Sequence, residues 1–164
     1  MIPDVALLLA GFALAHATWS VSDTPDTELL CPLAFVDAHG KRQLRRFEAE
    51  SQEKAIAAGK ATYTNWSAQS EAWAFARENV MREPSGSTDV ISIDFWAVGM
   101  ARPQTIIQHF RRASATGRFT VLGPPVLVVD GVMQPPNSVR REVAQVLAGV
   151  MEHPKVAELW PTWQ

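Results

Sequence analysis

Residues 4–19 read Asp4-Val5-Ala6-Leu7-Leu8-Leu9-Ala10-Gly11-Phe12-Ala13-Leu14-Ala15-His16-Ala17-Thr18-Trp19. The fate of this segment decides the fold. At helical spacing, Val5, Leu8, Leu9, Phe12, His16 and Trp19 share one face, while Leu7, Ala10, Ala13, Leu14 and Ala17 leave the other side apolar too. A helix that is apolar all round is buried or docked on a partner. The competing reading is an export leader: Ala15-His16-Ala17 is a small-x-small pattern, cleavage would follow Ala17, and the mature chain would start near Thr18. A leader needs a positively charged start. Here the first basic residue is Lys41, and this end carries only Asp4. The charge therefore favours a retained, buried helix over 1–19 and a cytoplasmic protein, with export as the alternative.

Working outward, 164 residues suit one globular domain spanning 1–164. A domain of that size buries roughly 70% of the surface its unfolded chain exposes, so it needs neither metal nor disulfide for stability. The net charge of −2 points away from a nucleic-acid coat. Cys31 is the sole cysteine, which excludes an intrachain disulfide. No stretch after the N-terminal run approaches the length of a membrane span, and that run reads as too short to cross alone. Six tryptophans, at 19, 66, 73, 96, 160 and 163, stand against one tyrosine, Tyr63. Residues of that size close a core or line a binding face.

Ser20 to Thr27 breaks the first helix, with Asp23, Pro25 and Asp26. Residues 29–36 form a strand candidate, and Pro32 within it predicts an edge position or a bulge. Asp37-Ala38-His39-Gly40 is a turn into a charged second strand, Lys41 to Glu48. Ser51 is an N-cap, from which a helical pattern runs to about Arg82 through Ile56, Gly59, Tyr63, Trp66, Ser70, Trp73, Arg77 and Val80. Thr62 to Ser70 is poor in helix formers and predicts a kink or break there. Pro84-Ser85-Gly86-Ser87 ends that element. Val90 to Val98 alternates cleanly: Ile91, Ile93, Phe95 and Ala97 on one face, Ser92, Asp94 and Trp96 on the other. Residues 103–113 fit a helix opened by Pro103 and a strand over 105–112 about equally. Phe119 to Leu122 and Val126 to Val129 read as two strands, and Asp130-Gly131 as a turn. Asn137 or Ser138 caps a helix with the stripe Val139, Val143, Val146, Leu147, Val150 and Met151. Pro154 opens a last short helix carrying Val156, Leu159 and Trp160.

Few residues suggest chemistry. His16, His39, His109 and His153 lack the paired spacing of a metal site, so neither metal nor cofactor is implied. Cys31 reads as a small hydrophobe. The phosphate-binding glycine loops and the Gly-x-Ser-x-Gly elbow are absent. Asn65-Trp66-Ser67 fits a glycosylation acceptor but sits inside a helical pattern. The best constellation joins Asp94 and His109, as candidate catalytic groups, with Arg102, Arg111, Arg112 and Arg118 as anion-binding groups. A carboxylate within a strand of Val, Ile, Phe and Trp is costly unless solvated or paired, and arginine forks suit carboxylates and phosphates. The alternative is a solvated sheet face covered by arginine stems. Lys41, Arg42, Arg45 and Arg46 could face a nucleic acid, yet a charged edge strand that blocks edge-to-edge pairing explains them as well.

The sequence thus predicts an α+β fold: one domain with a mostly antiparallel sheet of four to six strands and helices packed largely on one face. Of three function classes, a noncatalytic binding or accessory protein acting through a protein partner or a second copy comes first. It rests on the missing catalytic signature and the apolar, tryptophan-rich ends. A small enzyme or anionic-ligand binder at the Asp94–His109–arginine cleft comes second. Nucleic-acid binding through residues 41–46 comes third, and is not favoured.

Overall fold

A computed structural model describes residues 1–24 and 28–164. Along them run α1 (Asp4–Ser22), β1 (Leu33–Ala38), β2 (Lys41–Arg46), α2 (Gln52–Trp66), β3 (Ala72–Glu83), β4 (Gly86–Ala97), β5 (Gln104–Arg111), β6 (Thr120–Val129), β7 (Val132–Met133) and α3 (Arg140–Met151). Two 3₁₀ turns, Pro136–Ser138 and Trp160–Trp163, complete the order. The strands form one antiparallel sheet in the order β2-β1-β3-β4-β5-β6-β7. The α+β class is as expected, but the sheet has seven strands rather than four to six.

Alternation in β3 sets the layers. Its first five residues are Ala-Trp-Ala-Phe-Ala, and successive side chains of a strand point to opposite faces. Ala72, Ala74 and Ala76 join the larger core with α1, α3, Ile91, Ile93 and Phe95. Trp73 and Phe75 join a second core with Ala34, Val36 and Trp66 of α2. Tyr63 stacks on Trp73 with ring centroids 4.4 Å apart. Helices therefore cover both faces, α1 and α3 on one and α2 on the other, which corrects the one-face expectation.

β3 is also where the helical reading to Arg82 fails. The helix stops at Trp66, inside the stretch poor in helix formers, and the chain then enters a strand at Ala72. A strand buried on both faces is apolar without a clean alternation. Trp66, Ser70, Trp73 and Arg77 then satisfy a 3–4 spacing by coincidence.

Other boundaries shift for local reasons. α1 continues past Ser20 to Ser22; the expected break falls partly on residues 25–27, outside the described residues. β1 is interior, between β2 and β3, and Pro32 does not force an edge because it precedes the strand, where its carbonyl accepts the Phe47 N–H at 2.8 Å. The edge is β2, whose side chains are mostly exposed. Residues 104–111 are strand, not helix. The two expected strands around Gly123 are one, β6, with a register shift opposite Ile107 to His109. There the wholly buried Gln108 donates from Nε2 to the carbonyls of His109 and Gly123, at 3.1 and 2.9 Å. These bonds hold a stretch whose Pro124 and Pro125 lack N–H groups. Asp130 and Gly131 both take positive φ, 49° and 81°, in the two-residue turn to β7, a geometry that matches the twist of a hairpin. Val139, not Asn137 or Ser138, sits at the N-cap of α3, after the 3₁₀ turn. Residues 152–159 are turns rather than a helix opened by Pro154.

α1 crosses α3 at very close range through two glycines. A Cβ on Gly11 would lie 1.9 Å from the Val146 carbonyl oxygen, and one on Gly149 2.1 Å from that of Leu8. With 19 residues, α1 has the length and apolarity to cross a membrane, contrary to the expectation from its run length, yet eleven of those residues are buried in the fold. The C-terminal segment docks back: Trp160 and Trp163 are buried, and Trp163 meets Phe119 edge-on at 5.3 Å.

Candidate functional site

Asp94 lies on the α2 face of β4 and is 6% exposed. Arg77 Nη1 donates to its Oδ2 at 2.6 Å, Thr105 Oγ1 to its Oδ1 at 2.8 Å, and the Tyr63 hydroxyl approaches Oδ2 at 3.4 Å. The strands explain the meeting: Asp94 stands opposite Phe75 on β3 and Thr105 on β5, with Arg77 one pair further along. Burial pushes the Tyr63 phenol above its usual pKa, and the neighbouring carboxylate adds to the shift. The carboxylate that is costly by sequence is thus paid for by a buried ion pair. Arg77, the partner that makes it so, escapes a sequence reading because the helical pattern claims it.

The remaining residues of that constellation do not converge on Asp94. Arg102 alone borders the same pocket, of about 540 Å³, with Tyr63, Ser67, Trp73 and Thr105; its guanidinium pairs with Asp130 at 3.5 Å. His109 stands opposite Val90, whereas Thr105 stands opposite Asp94, a separation of about 13 Å along the strand. Its Nε2 is 3.3 Å from Glu83. Arg111 reaches Thr120 at 3.5 Å. Arg112 grips the buried Glu78 through two bonds, of 2.5 and 2.8 Å, while the Leu30 N–H donates to the same carboxylate. Glu78 stands opposite Ile91, on the other face of the sheet. Arg118 donates to the backbone carbonyls of Thr162 and Gln164 and so ties down the C-terminal turn.

The basic strand is β2. Arg42 is committed to Asp37 by two bonds, of 2.8 and 2.9 Å, and lies over the Phe12 ring. Its neighbours on the sheet edge are exposed. Among the described residues, no group of three or more His, Cys, Asp or Glu could hold a metal ion. Cys31 is half-buried, and burial raises its thiol pKa, the opposite of an activated nucleophile.

A mostly apolar concavity lies elsewhere, between α3 and β6. Two adjoining hollows of about 520 and 620 Å³ share Pro124, Pro125, Ala144 and Leu147 and form one open groove. Met133 and Val143 wall one end; Met151 and Trp160 wall the other. At the Met133 end its polar groups are Gln134, Asn137 and Arg140, and at the Trp160 end Gln164. Arg140 donates to Asn137 Oδ1 at 3.0 Å, and among the described residues no carboxylate pairs with it. The sequence shows the α3 stripe that contributes Val143 and Leu147. It does not show the partner wall, because Pro124-Pro125 reads as a break between strands. Compared with known proteins, the chain matches no family model, no curated protein and no solved structure.

Proposed function

We propose that this chain is a noncatalytic binding protein that receives an apolar, acid-bearing segment of a protein partner in the groove between α3 and β6. The groove itself carries the reading. It is mostly apolar, open to solvent, and carries at its Met133 end a cation that, among the described residues, has no carboxylate of its own. Apolar walls with a few placed polar groups are the usual makeup of a recognition site, and a contiguous exposed apolar surface marks an interaction site. The polar groups best suited to chemistry are committed to structure: Asp94 to Arg77, Glu78 to Arg112 and Asp37 to Arg42.

Site-specific photocrosslinking in the native host tests this. A crosslinker at Met133, half-exposed on the groove, is compared with one at Lys60, exposed on α2. One protein captured from Met133 but not from Lys60, and weakened by Arg140→Glu, supports the reading. Equal capture from both positions overturns it. A self-adduct from Met133 overturns the partner and replaces it with a second copy of this chain.

A further inference from the structure

We propose that His16 and His153 form an acid-operated latch that holds the segment following α3 against α1. His16 Nδ1 and His153 Nε2 are 3.0 Å apart, joining residues 137 positions distant in the chain. The protons can be placed. The Lys155 N–H donates to His153 Nδ1 at 3.2 Å, so that nitrogen is an acceptor and the His153 proton sits on Nε2. His153 Nε2–H then donates to His16 Nδ1, and the His16 proton sits on Nε2, which is buried with no hydrogen-bond partner among the described residues.

In this arrangement neither ring has a vacant lone pair. A proton added to His16 Nδ1 faces the His153 N–H. A proton added to His153 Nδ1 faces the Lys155 N–H. A tautomer switch in His153 only moves the conflict from one side of the ring to the other. Every protonation therefore breaks a bond that fastens residues 153–155.

Burial and like charge oppose the cation further. Phe12, Trp19 and Phe35 enclose the pair with ring centroids 4.9 to 5.9 Å away. From β2, Arg46 adds positive charge near His16, and Arg42 lies over Phe12, matched by Asp37 on β1. Glu152 and Lys155 flank His153 in sequence, and Glu152 acts on Arg42. Beyond Asp4 in its first turn, α1 contributes no Asp, Glu, Lys or Arg. Burial first, then His153 and Arg46, lower the His16 pKa from 6.5 to about 4, and burial lowers that of His153. The fold favours neutral rings, so the pair's contribution is whole above pH 6.5 and is lost as pH falls from there through about 4. Opening bares Val156 and Trp160, both buried. Trp160 also walls the groove, so a change in groove binding with pH would rest on the reading above, whereas the latch does not.

The test uses the full chain. Ring ¹⁵N spectra across pH 7 to 4 report tautomers and protonation, and hydrogen exchange, corrected for its intrinsic pH dependence, reports opening. Expected are Nε2–H tautomers in both rings, protonation well below pH 6.5, and at least tenfold loss of protection at Val156, Ala157 and Trp160 by pH 4.5, while β3 and β4 keep theirs. The double variant His16→Gln/His153→Gln should lose this response. Rings that titrate near 6.5, a sheet that opens in step with the segment, or a double variant with the same acid response each overturn the latch. The spectra of the unaltered protein decide the matter if the variant does not fold.

Discussion

Asp94 and Arg77 show how a residue's environment sets the cost of a buried carboxylate. Their side chains are 9% and 13% exposed, and desolvating two charges costs several kcal/mol each unless they pair well. Removing one partner strands the other, so Asp94→Ala should lower stability by about 3 kcal/mol, read as a fall in the urea midpoint at unchanged slope. Tyr63→Phe removes only a 3.4 Å contact and should cost below about 1 kcal/mol. The double variant Asp94→Ala/Arg77→Met should be less destabilised than the sum of the single variants, because it removes both charges. Additive effects would mean that the pair is solvated after all. The sequence made Asp94 legible: a carboxylate among Ile, Phe and Trp announces a partner. It did not show which partner, because that depended on seeing β3 as a strand.

At the scale of elements, the α1–α3 crossing separates two opposing effects. Alanine is a better helix former than glycine by about 1 kcal/mol, so propensity alone predicts that Gly149→Ala stabilises α3. Contact predicts the reverse, since the new Cβ would lie 2.1 Å from the Leu8 carbonyl, which is backbone and can yield only if the helices separate. Overpacking of this kind costs about 1–3 kcal/mol, so thermal unfolding should show Gly149→Ala, and likewise Gly11→Ala, to be net destabilising. A rise in Tm for either would place the helices further apart than described. Elements with one dominant period were readable in the sequence: α1, the β4 alternation, the α3 stripe and the Asp130-Gly131 turn all lie close to where pattern and turn chemistry put them. Those whose partners override the local signal were not. The first five residues of β3 are apolar on both faces and borrowed the helix period of α2, β6 hid behind two prolines whose missing N–H groups Gln108 compensates, and residues 104–111 became strand through pairing with β4 and β6 on either side.

For the whole molecule, the question is whether the fold survives without its first helix, and the size of the core answers it. Native domains retain only about 5–15 kcal/mol of net stability. Residues 1–17 bury Leu7, Leu9 and Leu14 completely, together with five alanines. At about 2 kcal/mol for each leucine and somewhat under 1 kcal/mol for each alanine, that burial amounts to roughly 10 kcal/mol, comparable to the entire margin. Its loss also uncovers Ala72, Ala74 and Ala76 of β3 and the faces of Gly149 and Val150 on α3. Replacement of that contact by water leaves β3 and β4 uncovered on that face of the sheet. A chain beginning at Thr18 should therefore lose near-UV circular dichroism and its cooperative urea transition, and be cut rapidly by protease within β3 and α3, while the full chain resists. A truncated chain that unfolds cooperatively with a midpoint near that of the full protein would show that α1 is dispensable to the core, and would favour the leader reading of Ala15-His16-Ala17 over burial.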